Sequence, residues 1–133
     1  MSYRVLIVDD SSVVRTMVRK AASMAGLDIE EVHEAGNGRE ALELLKSHWV
    51  DIVFTDLHMP EMTGIELVEA MARSGVLATT PVVVVSSDPS ASRIEELRTL
   101  GVRAYLKKPF RPEGFRAIVE EVLHGSKETS DAC

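Results

Sequence analysis

The sequence predicts an α/β domain: a doubly wound, five-stranded parallel sheet with helices on both faces. Five short segments rich in Val and Ile alternate along the chain with segments whose apolar residues recur at helical spacing. The run 82–85, VVVV, is apolar on both faces of a strand. Such strands are typical of a parallel sheet covered by helices on each side.

The strand pattern predicts strands at 5–8, 31–35, 52–55, 82–85 and 104–106. The first helix follows Ser11 and Ser12, both N-cap candidates. We expect its inward face to consist of Val14, Met17, Val18, Ala21 and Ala25. We expect solvent to surround Arg15, Arg19 and Lys20.

The other helices have recognisable ends. The second follows Asn37, and capping boxes at 63–66 and 92–95 predict the starts of the third and fourth. Gly101 suits the left-handed end of the fourth helix. The fifth begins at Pro112 and is expected to end at Gly125. We expect Trp49, which follows the second helix, to cover an edge of the core.

Composition limits the function. With 133 residues, the chain is long enough to bury a two-sided sheet as one domain, which we place at 1–125, before a polar tail at 126–133. Cys133 is the only cysteine, which excludes an internal disulfide and a Cys metal site. The net charge of -6, with scattered Lys and Arg, argues against direct nucleic-acid binding. Without a membrane-length apolar run or a signal-peptide pattern, we expect a cytoplasmic location.

Polar side chains follow the predicted strands where a doubly wound sheet places its ligands. They are Asp9, Asp10, Asp56, Ser86, Ser87 and Lys108. Three clustered carboxylates repel one another unless a cation binds them or one is protonated. A divalent cation is the simpler solution, and Mg²⁺ suits oxygen ligands that must also receive a phosphate.

These residues stand in the segments DD (9–10), DLHMPEMTG (56–64), VSS (85–87) and YLKKPF (105–110). Together they resemble the signature set of two-component response-regulator receiver domains, in the single-domain, CheY-like form. The resemblance covers about residues 4–124. It implies the (βα)5, flavodoxin-like strand order 2-1-3-4-5.

The resemblance also implies residue roles. Asp56 would accept a phosphoryl group from a phosphohistidine of a histidine kinase. Asp10 would bind Mg²⁺ directly and Asp9 through water, and Asp56 and the backbone carbonyl of His58 would complete the protein ligands. Lys108, before a cis Lys108-Pro109 bond, would pair with the phosphoryl oxygens.

Ser86 and Tyr105 would be the switch residues, acting on the face formed by the fourth helix, fifth strand and fifth helix. His58, Asp88 and Ser87 would form the rim of the site. The chain would catalyse only its own phosphorylation and dephosphorylation. We expect an output protein partner, chemotaxis-like signalling and a monomer, with a phosphorylation-dependent dimer as the alternative.

Other classes of function fit less well. A dinucleotide-binding oxidoreductase should have a Gly-rich turn after the first strand, and a flavodoxin a Ser/Thr-rich phosphate loop, whereas residues 9–12 are DDSS. A haloacid dehalogenase phosphatase should have a carboxylate where this chain has His58. A receiver-like protein that only binds partners usually lacks acidic or Lys positions that are present here.

Overall fold

The computed structural model describes residues 2–87 and 91–132, with side chains 77, 78, 91, 92 and 124–132 outside the description. The strands are β1 (Tyr3–Val8), β2 (Ile29–Ala35), β3 (Ile52–Thr55), β4 (Val82–Ser86) and β5 (Ala104–Lys107). The main helices are α1 (Ser12–Met24), α2 (Gly38–Ser47), α3 (Gly64–Ser74), α4 (Ala91–Leu100) and α5 (Pro112–Ala132). A single helical turn, Val76–Thr79, follows α3 and is absent from the sequence prediction.

The strands form one parallel sheet in the order β2-β1-β3-β4-β5, so the predicted fold class is confirmed. In this order β1 lies between β2 and β3: the chain places β2 on one side of β1 and then crosses to the other side for β3, β4 and β5. The carboxyl ends of β1 and β3 are therefore the switch point at which doubly wound sheets bind ligands.

Alternate residues of each strand face two separate cores. Leu6 and Val8 of β1 pack on the α2, α3 and α4 side, whereas Val5 and Ile7 pack on the α1 and α5 side. On the second side the rings of Phe54 and Phe115 stack with centroids 5.1 Å apart. Because both faces are covered, the ends of the strands are where polar side chains can meet solvent.

The starts of α1, α2 and α3 follow the predicted capping chemistry. The side chain of Ser11 accepts a hydrogen bond from the Val14 amide, and Asn37 caps α2 in the same way. Thr63 forms the capping box of α3 with Glu66. The expectation that a box at 92–95 starts the fourth helix is wrong, because α4 begins one residue earlier, at Ala91. The side chain of Ser92 lies outside the described residues. Gly101, at the end of α4, has the positive φ expected of it, 117°.

Four further expectations about individual residues are wrong. Met17 is 49% exposed rather than inward, and Trp49 is 61% exposed and donates to Asp51 rather than covering the core. The Arg15 side chain is only 19% exposed, because it pairs with Glu34.

The fourth difference concerns the last helix. It continues past Gly125 to Ala132, because a single Gly costs a helix only about 1 kcal/mol and no Pro follows it. The assignment of 126–133 to a tail outside the domain stays a prediction. Among the described residues, no helix is both long and apolar enough to span a membrane.

Candidate functional site

Backbone hydrogen bonds align the strand ends that carry the site. The Asp9 amide donates to Ala35 of β2 at 3.0 Å, and the Asp56 amide donates to Val8 of β1 at 2.9 Å. The Lys108 amide donates to the Ser86 carbonyl of β4 at 2.9 Å. The sheet ladder therefore continues one residue past β1, β3 and β5 and orients the functional residues at one edge.

Three carboxylates meet at this edge. One oxygen from each of Asp9, Asp10 and Asp56 lies within 4.8 Å of the others. Asp9 is buried, Asp56 is half-buried and Asp10 is exposed. An all-oxygen donor set with an open, solvent-facing side fits Mg²⁺, which keeps several water ligands.

Lys108 places a positive charge between two of these carboxylates. Its ammonium lies 3.0 Å from Asp9 Oδ2 and 3.5 Å from Asp56 Oδ2. The Lys108-Pro109 peptide bond is cis, as the resemblance implies. Lys108 therefore offsets part of the repulsion in the cluster and stands next to the oxygen that would receive a phosphoryl group.

The loop after β3 holds Asp56 through close backbone contacts. Asp56 Oδ1 accepts a 2.7 Å hydrogen bond from the Leu57 amide, which leaves Oδ2 facing the other charged groups. The Gly64 amide donates to the Leu57 carbonyl at 2.9 Å. A Cβ on Gly64 would lie 2.1 Å from the Asp56 carbonyl oxygen, so only glycine permits this approach.

The remaining predicted residues lie around this cluster. Ser86 is fully buried at the end of β4, and Tyr105 is half-buried on the adjacent edge strand β5. His58 and Ser87 are exposed, whereas Asp88 lies outside the described residues. The assignment of these residues to a rim stays a prediction.

Two residues near the site were not anticipated. Arg15 of α1 donates a hydrogen bond to the backbone carbonyl of Asp9 and forms an ion pair with Glu34 of β2. Helical periodicity placed Arg15 in solvent, because the pattern within one helix contains no information about a strand that returns beside it. Its closeness in sequence to the Asp pair was the only available signal.

The fold and this edge define an α/β domain with an acidic, lysine-containing site at the switch point of its sheet, and comparison with known proteins identifies its family. The response regulator receiver domain family matches residues 5–120. The chain belongs to this family and is a two-component response regulator. Receiver domains take phosphate from histidine kinases, bind Mg²⁺ through an Asp cluster and act on output or partner proteins.

Individual relatives support the same conclusion. The chain is 34% identical to a chemotaxis protein CheY homolog of Campylobacter jejuni, over 90% of this chain and 92% of that protein. It is 33% identical to chemotaxis protein CheY of Pseudomonas aeruginosa, over 90% and 95%. The solved structure of CheY4 of Vibrio cholerae has a TM-score of 0.80 and 34% identity, covering 92% of this chain and 99% of that one.

Proposed function

We propose that this chain is a phosphorylation-dependent switch whose acceptor is Asp56. One observation carries the proposal: Asp56 shares a strand-end cluster with Asp9 and Asp10, and Lys108 Nζ lies 3.5 Å from Asp56 Oδ2. A carboxylate in this setting has a cation partner and a side open to a donor. It has the features of a nucleophile that must approach an anionic phosphoryl group.

Asp56 Oδ2 would attack the phosphorus of a phosphohistidine in line with the P–N bond. As the O–P bond forms, the P–N bond breaks, and the imidazole nitrogen leaves with the electron pair. The Lys108 ammonium would stabilise the phosphoryl oxygens, with the Ser86 hydroxyl as a further donor. Hydrolysis of the resulting acyl phosphate by water would end the signal.

Asp9, Asp10, Asp56 and the His58 carbonyl would hold Mg²⁺, which when bound supplies the charge that neutralises the carboxylates and phosphoryl oxygens. Three Asp, Lys108 and Mg²⁺ balance to zero formal charge before phosphorylation. Phosphorylation adds about one negative charge, and that added charge is the input to the switch.

The output would pass through the α4-β5-α5 face. Tyr105 lies on β5, within this face, and Ser86 lies on the neighbouring strand β4. Arg98 of α4 and Lys107 of β5 are exposed on the face. These cations favour a partner segment that contains Asp or Glu. Because the CheY relatives are named as chemotaxis proteins, we propose chemotaxis-like signalling through a protein partner.

Incubation with Mg²⁺ and acetyl phosphate, followed by intact mass measurement, tests the assignment of the acceptor. We expect one added phosphoryl group in the wild type and none in Asp56→Asn. Asp51 directly precedes β3, as Asp56 directly follows it, so Asp51→Asn is a matched control that should still be labelled. Stoichiometric, hydroxylamine-sensitive labelling of Asp56→Asn would disprove the assignment.

A further inference from the structure

Asp9 and Asp10 differ in how they are held. The Asp9 carboxylate accepts hydrogen bonds from the Ser11 amide at 2.9 Å and from Lys108 at 3.0 Å. Within the described part of the chain, the Asp10 side chain has no hydrogen bond or ion pair, and it is exposed. No contact with a described residue fixes the Asp10 carboxylate, so its position relative to the site is set by the backbone that carries it and by its own rotamers.

Arg15 holds that backbone. Its Nη1 donates to the Asp9 carbonyl, which belongs to the peptide group joining Asp9 to Asp10. Its Nε donates to Glu34 Oε1 at 2.8 Å, and Glu34 lies one residue before the end of β2. The planar guanidinium thus bridges the Asp9-Asp10 peptide and a neighbouring strand, a contact that one ammonium cannot reproduce.

We propose that Arg15 is a positioning residue that directs the Asp10 carboxylate toward the cation in the site. The proposal rests on the function proposed above. In metal sites generally, removing a residue that orients a metal ligand from outside the coordination sphere weakens metal affinity by about 10- to 100-fold. Arg15 acts here through a peptide group instead of through the ligand side chain itself.

Charge and position predict opposite effects when Arg15 is removed. The loss of a cation beside three carboxylates should strengthen Mg²⁺ binding if charge alone matters. The loss of a fixed peptide should weaken it. The direction of the change therefore distinguishes the two explanations.

The chain contains a matched control for this test. Arg19 also pairs with Glu34, at 3.3 Å, and its side chain is 56% exposed. It lacks the bond to the Asp9 carbonyl that Arg15 makes. Arg15→Met and Arg19→Met remove the same charge and an ion pair to the same carboxylate, but only Arg15→Met releases the peptide.

The experiment is calorimetric titration of Mg²⁺ into unphosphorylated protein, with the unfolding free energy of each variant measured separately. We expect a dissociation constant about 10-fold or more above wild type for Arg15→Met and within about twofold of it for Arg19→Met. Arg15→Lys keeps the charge and should also bind Mg²⁺ more weakly than wild type. It serves as the second variant if Arg15→Met does not fold.

Unchanged or stronger Mg²⁺ binding in both Arg15 variants would overturn the inference, as would equal weakening in Arg15→Met and Arg19→Met. A wild type that binds no Mg²⁺ would instead contradict the proposed function. Amide NMR spectra without Mg²⁺ add an independent readout. We expect the Asp10 amide signal to shift in Arg15→Met and to stay in place in Arg19→Met.

Discussion

The Lys108 ammonium lies closer to Asp9, at 3.0 Å, than to the proposed acceptor Asp56, at 3.5 Å. Lys108 follows β5 at the edge of the sheet, whereas Asp9 follows β1, three strands further in. The side chain thus links the end of the edge strand to the switch point. Before any phosphoryl group is present, Lys108 contributes mainly by neutralising a buried carboxylate.

Replacing Lys108 should therefore reduce stability as well as phosphorylation. We expect Lys108→Met to lower the free energy of unfolding by about 1–3 kcal/mol, because a buried carboxylate loses a charged partner. Added Mg²⁺ should recover most of that loss. Urea unfolding with and without Mg²⁺ measures both effects, with the exposed neighbour variant Lys107→Met as the control. Equal losses in the two variants would show that the ion pair contributes nothing specific.

Gly64 should tolerate no side chain. A Cβ there would lie 2.1 Å from the Asp56 carbonyl oxygen, so Gly64→Ala must displace the acceptor loop or α3. We expect a loss of about 2 kcal/mol or more in unfolding free energy and slower uptake of phosphate from acetyl phosphate.

Gly114 supplies the control for that substitution. It lies in α5 with open space around the position of a Cβ. Because Ala is the better helix former, Gly114→Ala should raise the unfolding free energy by about 0.5–1 kcal/mol. Similar values for Gly64→Ala and Gly114→Ala would contradict the close backbone approach.

The proposed switch is tested with beryllofluoride, which would mimic a phosphoryl group on the proposed acceptor Asp56. With Mg²⁺ we expect it to perturb NMR signals around Ser86, Arg98, Tyr105 and Lys107, because binding shifts the population toward a second state of the α4-β5-α5 face. The same titration of Asp56→Asn should leave these signals in place. A response limited to residues that touch the site would place the switch elsewhere.

The rim should set how long the phosphoryl group survives. His58 is exposed beside the site, and Asp88 stands two positions after Ser86 in the sequence. We expect a bulky ring and a carboxylate to obstruct the in-line approach of water. The rate of phosphate loss should therefore increase in both His58→Gly and Asp88→Ala at fixed pH and Mg²⁺. Slower loss in His58→Gly would make His58 a group that orients water.

Much of the fold was predictable, because its signals are local. Apolar spacing indicated the alternation of strands and helices, and capping residues indicated where α1, α2 and α3 begin. The polar residues of the site follow directly from these strand ends. Family resemblance then assigned their roles, which composition and spacing could not do.

The errors arose where exposure depends on a neighbouring element. Met17 lies on a helix face that the sequence pattern treats as inward, and it is exposed. Trp49 is exposed and donates to Asp51, although its size suggested burial. Helix periodicity identifies a face but not its width, because the partner element decides where contact ends.

The sequence by itself determined the alternation of strands and helices along the chain, the two-sided burial of β4 and the presence of three Asp and one Lys at strand ends. Only the tertiary structure decided which charges meet: Lys108 with Asp9, and Arg15 with the Asp9 carbonyl and Glu34. The physical reason is range. Helix and strand patterns reflect interactions within a few residues, whereas a contact between residues 9 and 108 exists only after the sheet brings distant strand ends together.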